Sequence, residues 1–435
     1  MVSSAPLAVF RVLFGLLMAA ESFGAVGTGW VGRVFVEPRL TFPLIGFEPL
    51  RALSGPWMTW YFAAMGCAAI GVSLGWRYRA SACALAALWT GAYLAQKTHY
   101  NNHYYLAVLV CWAMAVLPAH RRASFDVAAG RARRSDVCHG AIAAGFRVQV
   151  SIVFVCAALA KLYPGWLGGA YLAENLGAKG DLWLLGPLLV QGWFQTLVAY
   201  AAIAFDALVI PALAWRRTRV LAFAGLIGFD LFNSYVFRIG IFPYLVIAFC
   251  VFFFDPRAVE RAFRWIPGMT ARTSPEARAA APMPRLVRAV VLVYFIAQLL
   301  LPLRHHAFPG DVNWTDEGHR MAWRMMLRTK TGSVNLVARD LSTGESWILD
   351  QSEWLTPRQR ARVASRPEFL LQFVREVVRD RRARGLPEIE VRALGSSVSL
   401  NGEPSRPLYD PDVDLVRARW HPLGRSPWVL DRGPR

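Results

Sequence analysis

Residues 188–214 read LLVQGWFQTLVAYAAIAFDALVIPALA and run directly into Trp215-Arg216-Arg217-Thr218-Arg219. Asp206 is the single charged side chain in that stretch, which exceeds the about 20 mostly apolar residues a helix needs to cross a bilayer. A helix that is apolar all round and stops at a cluster of arginines reads as a membrane span ending at a basic loop. Working outward, comparable runs lie near residues 5–25, 57–75, 80–96, 104–118, 145–163, 220–237, 240–254 and 287–303, so nine spans are expected. A miscount would fall at Gly240, where two runs nearly touch.

The composition agrees with a membrane class. The chain has 435 residues, 55% of them hydrophobic and only 18% charged, with a mean hydropathy of +0.33. One soluble core would struggle to bury that much apolar surface. A net charge of +19 raises nucleic acid as a partner, but that reading needs a basic face on a soluble module, and no such motif is present. The basic residues gather instead in alternate loops: Arg77 and Arg79; Arg121 through Arg134; Arg216, Arg217 and Arg219; and Arg257 through Arg288. The positive-inside rule makes those loops cytoplasmic. Counting spans then places the N-terminus inside and everything after Leu303 outside, although Arg33, Arg39 and Arg51 in the first outer loop run against the pattern. The expected architecture is mainly α: a polytopic bundle of about nine transmembrane helices over residues 1–303, followed by an extracytoplasmic α+β domain over 304–435.

Residues 5–25 could be mistaken for a signal peptide, yet Arg11 lies inside the run and Glu21 follows the small residues Ala19 and Ala20, so a retained helix is expected. The six cysteines, Cys67, Cys83, Cys111, Cys138, Cys156 and Cys250, avoid the C-terminal third. Neither a disulfide framework nor a metal site is expected. Past Leu303 the pattern becomes that of a mixed soluble domain. Residues 332–340 and 346–350 alternate like strands around Ser342-Thr343-Gly344, Thr356-Pro357 and Arg366-Pro367 start helices, Gly385 and Pro387 stop one, and Asn401-Gly402 marks a turn. The Ala-, Pro- and Arg-rich stretch 268–284 reads as a cytoplasmic linker.

Chemistry is concentrated between two apolar runs, in Gln96-Lys97-Thr98-His99-Tyr100-Asn101-Asn102-His103-Tyr104-Tyr105-Leu106. Polar groups at membrane depth are costly and mark function or a wet cavity. The spacing alone favours the plainer reading, an interfacial loop with its tyrosines in the aromatic belt and Lys97 reaching to water. Arg11, Glu21, Gln149, Lys161, Asp206, Asp230 and Asn233 also sit within apolar runs. Individually they read as polar glue between helices, and together as a polar interior. Arg11 and Glu21 are too far apart for a local helical pair, so each needs partners on other helices. Nucleotide-loop, zinc-protease and Ser-His-Asp patterns are absent.

These residues, taken in order, resemble the vitamin K-dependent gamma-glutamyl carboxylase family, whose membrane part is the horizontally transferred transmembrane domain. The matches begin with Arg11 through Met18 and Glu21, then Trp57-Met58, Leu74-Gly75, Tyr78-Arg79-Ala80-Ser81, and Lys97-Thr98 with Asn101-Asn102-His103. They continue through Gln149, Lys161, Trp166, Asp206, Asn233-Ser234, Gln298, His305, Asn313-Trp314-Thr315 and Trp323 with Met325-Met326. Asp410-Pro411, Trp420-His421-Pro422 and Trp428-Val429 close the series, so the resemblance spans residues 10–430.

The resemblance implies that Lys97 is the catalytic base and that Asn101, Asn102, His103, Asn233, His305, Trp314, Trp323 and Met325 belong to a quinone or substrate pocket. Arg11 and Glu21 are structural polar residues. It implies a reduced vitamin K or menaquinone-type hydroquinone, with O2 and CO2 as co-substrates and no metal. The hydroquinone is deprotonated, reacts with O2 to give a stronger base that takes a glutamyl γ-proton, and leaves as the epoxide while CO2 adds to the carbanion. Lysine suits the role because desolvation disfavours an ammonium ion. Membrane lipid, a quinone and a glutamate-containing peptide or protein are the expected partners, nucleic acid is not, and a bacterial inner membrane is the expected location. Asp230 stands where the family often has a histidine, and Thr315 through Arg320 diverge, so quinol oxidation is better supported than glutamate carboxylation. The alternative is a non-catalytic membrane protein that binds or transports a quinone or lipid with the same bundle.

Overall fold

In the computed structural model the described residues are 1–271, 283–421 and 424–433. Most of the expected linker (272–282) and Pro422 of the Trp-His-Pro motif lie outside the described residues. Every expected run becomes a helix: Ala5–Gly27, Met58–Leu74, Tyr78–Ala95, Asn102–Val116, Gly140–Ala160, Gly192–Ala214, Arg219–Phe237, Phe242–Phe249 and Arg285–Leu303. Among the described residues, five helices are long and apolar enough to cross a membrane: Ala5–Gly27, Gly140–Ala160, Gly192–Ala214, Arg219–Phe237 and Arg285–Ala307. Met58–Leu74, Asn102–Val116 and Phe242–Phe252 are apolar but shorter. The runs expected near 57–75, 80–96, 104–118 and 240–254 form the helices Met58–Leu74, Tyr78–Ala95, Asn102–Val116 and Phe242–Phe249, of 17, 18, 15 and 8 residues, which are not among those five.

The chain divides into two compact units. The first comprises Met1–Glu37, Pro43–Ala158 and Ala204–Gln298. Its helices approach closely because small residues face each other: a Cβ on Gly15 would lie 2.5 Å from the Ser73 backbone nitrogen, and one on Gly66 would meet the Phe23 ring at 2.6 Å. In lipid such contacts, rather than hydrophobic transfer, hold helices together. Ser73 Oγ adds a hydrogen bond to Val12 O at 3.1 Å.

Three basic segments and the N-terminus meet within this unit. Val2–Ser3 pairs with Val137–Cys138. Asp126 accepts from the backbone N–H groups of Arg77 (2.9 Å) and Tyr78 (2.8 Å), which caps a helix that has no cap of its own. Arg122, almost fully buried, donates to Met269 O at 2.9 Å and pairs with Glu260 at 2.7 Å.

The second unit comprises Pro38–Phe42, Leu159–Ile203 and Leu299–Arg435. Its antiparallel sheet has the order Ser346–Ile348, Lys330–Asp340, Ile389–Leu400, with a register shift between Ser333 and Asn335. Alternation along Lys330–Asp340 buries Val334, Leu336 and Ala338, as a strand with one covered face requires. Helices Pro357–Ser365 and Pro367–Ala383 supply Val363, Phe369, Phe373 and Val374 to the same core. Thr356 and Gln359 form a capping box at the first of them. Pro38–Phe42 completes the unit: the Phe42 ring lies 5.1 Å from Phe369, Gln359 Nε2 donates to Leu40 O at 2.6 Å, and Arg39 sits 4.2 Å over the Trp354 ring.

Candidate functional site

In the first unit the Tyr78–Ala95 helix ends when Gln96 turns extended (φ −145°), and Lys97–His99 forms a single 3-10 turn. Gln96 fixes that turn from both directions. Its oxygen accepts from Thr98 Oγ1 at 2.8 Å, and its Nε2 donates to Val34 O at 3.0 Å. Asn101 then caps the Asn102–Val116 helix, accepting from Tyr104 N at 2.7 Å. Tyr100 donates to Asn102 Oδ1 at 3.2 Å. Held between two capped elements, Lys97 is 2% exposed. The interfacial-loop alternative needs the amine to reach water, and this burial argues against it.

Glu21 meets this segment directly, accepting from Tyr104 OH at 2.6 Å. Arg11 donates to Ala123 O. The two residues therefore find partners on other elements, as their spacing required. A cleft of about 40 Å³ opens beside the Lys97 turn, walled by Trp30, Phe35, Phe62, Trp89 and Tyr100, with Glu21 and Gln96 as its polar corners. Sequence reading did not place Gln96 or Tyr104 there, although both lie in the polar segment. His103 faces elsewhere, its ring 5.9 Å from Phe242 and 5.3 Å from Tyr104. Asn233 bonds its own helix at Phe229 O, 3.0 Å away. Gln298 donates to Tyr105 OH at 2.9 Å, and Tyr294 donates to Gln149 at 2.6 Å, so these polar residues join helices.

The remaining expected site residues belong to the second unit, where cations order the Asn313-Trp314-Thr315 turn. Arg324 donates to Asn313 Oδ1 at 2.9 Å, Arg328 to Val312 O at 2.6 Å, and Lys330 to Trp314 O at 2.5 Å. His305 Nδ1 faces Pro302 O at 2.7 Å, which assigns the proton to Nδ1 and leaves Nε2 to accept from Arg324 at 3.3 Å. Trp314 and Trp323 are buried and Met325 is half-buried. Asp316, Met321, Trp323 and Met326 all have positive φ (67°, 56°, 53° and 52°). Such a run of non-glycine residues in the left-handed region is held only by surroundings that over-determine it.

Asp316 is the hub of that surrounding. It pairs with Arg328, with Lys330 at 3.3 Å and with Arg366 at 3.6 Å. Burial alone would raise its carboxyl, but Arg328, Lys330 and Arg366 hold it well below the usual carboxylate range. The sequence marked this stretch only as divergent, and no local spacing pointed to the cluster.

Residues 1–257 match the HTTM domain, and residues 283–433 match the lumenal domain of vitamin K-dependent gamma-carboxylase. The chain belongs to the vitamin K-dependent gamma-carboxylase family. No solved structure matches it. Family membership implies reduced vitamin K, O2 and CO2 as reactants and a glutamate-containing acceptor, and the apolar helices make it a membrane protein. The carboxylase matches also cover both polar segments described above: the Lys97 turn falls in the first, and the Asn313–Lys330 turn falls in the second.

Proposed function

We propose that this protein is a membrane-embedded quinol-oxidising enzyme in which Lys97 is the base that starts the reaction, with carboxylation of a peptidyl glutamate as its coupled second half. The observation that carries this reading is the burial of Lys97 in a turn fixed by Gln96 and Asn101. A lysine anchored there as an interfacial snorkel would extend its amine to solvent. When bound, the reduced naphthohydroquinone supplies, with O2, the strong base that takes the glutamyl γ-proton.

The chain's own residues do the positioning. The aromatic walls of the neighbouring cleft match a flat ring, and its volume requires those side chains to part for a naphthoquinone to enter. Tyr104, bonded to Glu21, is placed to hold a quinol oxygen at the polar end. Asn101, Asn102, His103 and Asn233 are assigned to shaping the membrane side of the reaction. His305, Trp314, Trp323 and Met325 are assigned to the acceptor side.

The arrangement in the membrane is part of the same proposal. Residues 1–303 form the transmembrane domain with nine crossings, the N-terminus is cytoplasmic, and residues 304–435 are extracytoplasmic in a bacterial inner membrane. The meeting of the N-terminus with the Arg77–Arg79, Arg121–Arg134 and Arg257–Met269 segments supports a shared cytoplasmic end.

The test is epoxide formation by purified protein given a naphthohydroquinone, O2 and bicarbonate, with and without a glutamyl peptide. Lys97→Ala should abolish epoxide while leaving insertion and quinone binding in place. Full activity of Lys97→Ala would overturn the assignment.

A further inference from the structure

The helix Pro357–Ser365 carries Arg358 and Arg362 four residues apart on one face, and Arg366 follows at its extended C-cap. Like charges at that spacing repel, so the row costs stability unless something offsets it. What surrounds it makes the imbalance worse. Arg320 is committed to Glu368, while Asp316 is shared by Arg328, Lys330 and Arg366. Arg320, Arg358 and Arg366 crowd Arg362, and the carboxylates that pair with the cations here, Asp316 and Glu368, are taken by Arg320, Arg328, Lys330 and Arg366.

Two guanidinium groups in the row are left incomplete. The Arg362 guanidinium makes no hydrogen bond or ion pair with any of the described residues. Arg366 keeps a buried Nε without a hydrogen-bond partner, although its Nη1 reaches Asp316 at 3.6 Å. Crowding by Arg366 first, then burial and Arg358, presses Arg362 toward losing its proton. A guanidinium does not release its proton at accessible pH. The relief available is an anion.

We propose that the row Arg358, Arg362 and Arg366, with Arg320 beside it, is an oxyanion site that takes a phosphate group, supplied by a phospholipid headgroup or by free phosphate. The chemistry favours phosphate over a single carboxylate. The two carboxylates in the cluster, Asp316 and Glu368, already pair with Arg320, Arg328, Lys330 and Arg366, and neither pairs with Arg358 or Arg362. A phosphate brings up to two negative charges and several acceptor oxygens to planar donor forks. Arg358 is exposed and Arg362 and Arg366 are partly so, which leaves the site open to solvent. Nothing in this assignment depends on quinone chemistry, so it stands or falls separately from the proposed activity.

The experiment uses the full chain in detergent, in phosphate-free buffer at constant ionic strength, and follows its melting temperature with inorganic phosphate, short-chain phosphatidic acid or chloride. Both phosphate probes should raise the melting temperature of the wild type and chloride should not. A response to phosphatidic acid at tenfold or more lower concentration would assign the lipid source, and equal responses would assign free phosphate. Arg362→Gln should melt higher than wild type without ligand, because repulsion is relieved, yet need at least tenfold more phosphate for the same shift. Arg358→Gln should behave likewise, whereas Arg384→Gln, which removes an exposed partner of Asp380, should respond as wild type does. An Arg362→Gln protein that keeps the full phosphate shift, or a wild type that responds equally to chloride, overturns the proposal.

Discussion

Asp316→Asn is the most demanding test of how the second unit is held together. The substitution keeps size and shape and removes only the charge, so no cavity confuses the result. The side chain is 6% exposed and faces Arg328, Lys330 and Arg366. Removing one partner of a buried ion pair costs about 3–5 kcal/mol, because the remaining charge is left uncompensated. At about 2–4 °C per kcal/mol for a unit of this size, the melting temperature should fall by roughly 6–20 °C at pH 7. The pH dependence gives a second handle. A carboxyl whose folded value lies below its unfolded value contributes stability above the unfolded pKa of about 4 and loses it as pH falls through the folded value. Wild type should therefore lose this contribution only below about pH 4, and the variant should lack that acid limb. Tryptophan fluorescence melts from pH 3 to 8, with exposed Asp412→Asn as control, measure both effects. A variant within about 2 °C of wild type at pH 7 would mean that the cations are not held by Asp316, and the reasoning fails.

Lys97→Arg should be as inactive in epoxidation as the alanine variant, since a guanidinium restores charge but not basicity; an active arginine variant would end the base assignment. Tyr104→Phe should destabilise the first unit by about 1–3 kcal/mol by stripping Glu21 of its donor. Adding Glu21→Gln should cost much less than the sum, and additive losses in a double-mutant cycle would deny the bond. Gly15→Leu should cost about 1–3 kcal/mol by driving a side chain into Ser73, and an unchanged melting temperature would refute the close helix approach. Reporter fusions at the C-terminus should show extracytoplasmic activity; cytoplasmic activity would mean one crossing has been miscounted, most plainly at Gly240.

Much of this architecture could be read before any coordinates because lipid imposes a simple rule. Long apolar runs must become helices, and all nine did, from Ala5–Gly27 to Arg285–Leu303. Local punctuation served equally well in the C-terminal region: Thr356 caps Pro357–Ser365, Pro367 opens the next helix, and Asn401-Gly402 (φ 53° and 74°) turns the chain after Ile389–Leu400. Lys97 stood out as a polar residue beside apolar runs, but its spacing did not foretell burial, which the structure shows. What the sequence hid were contacts between distant stretches. Nothing near Asp316 signals Arg366, nothing near Glu21 signals Tyr104, and the five residues Pro38–Phe42 read as an ordinary loop.

Those five residues carry a consequence for biosynthesis. Chains emerge from the ribosome N-terminus first, so Leu40 and Phe42 are exposed long before Gln359 and Phe369, their partners, have been made. Leu159–Ile203 waits in the same way, with Asn175 bonded to Thr329 and Tyr163 to Asn401. The second unit is thus assembled retrospectively, with two early segments kept in store until translation is nearly over. A gene fragment encoding only residues 304–435 would be born without the pieces that finish its core, and a premature stop anywhere before Phe369 would strand an apolar loop with no place to dock.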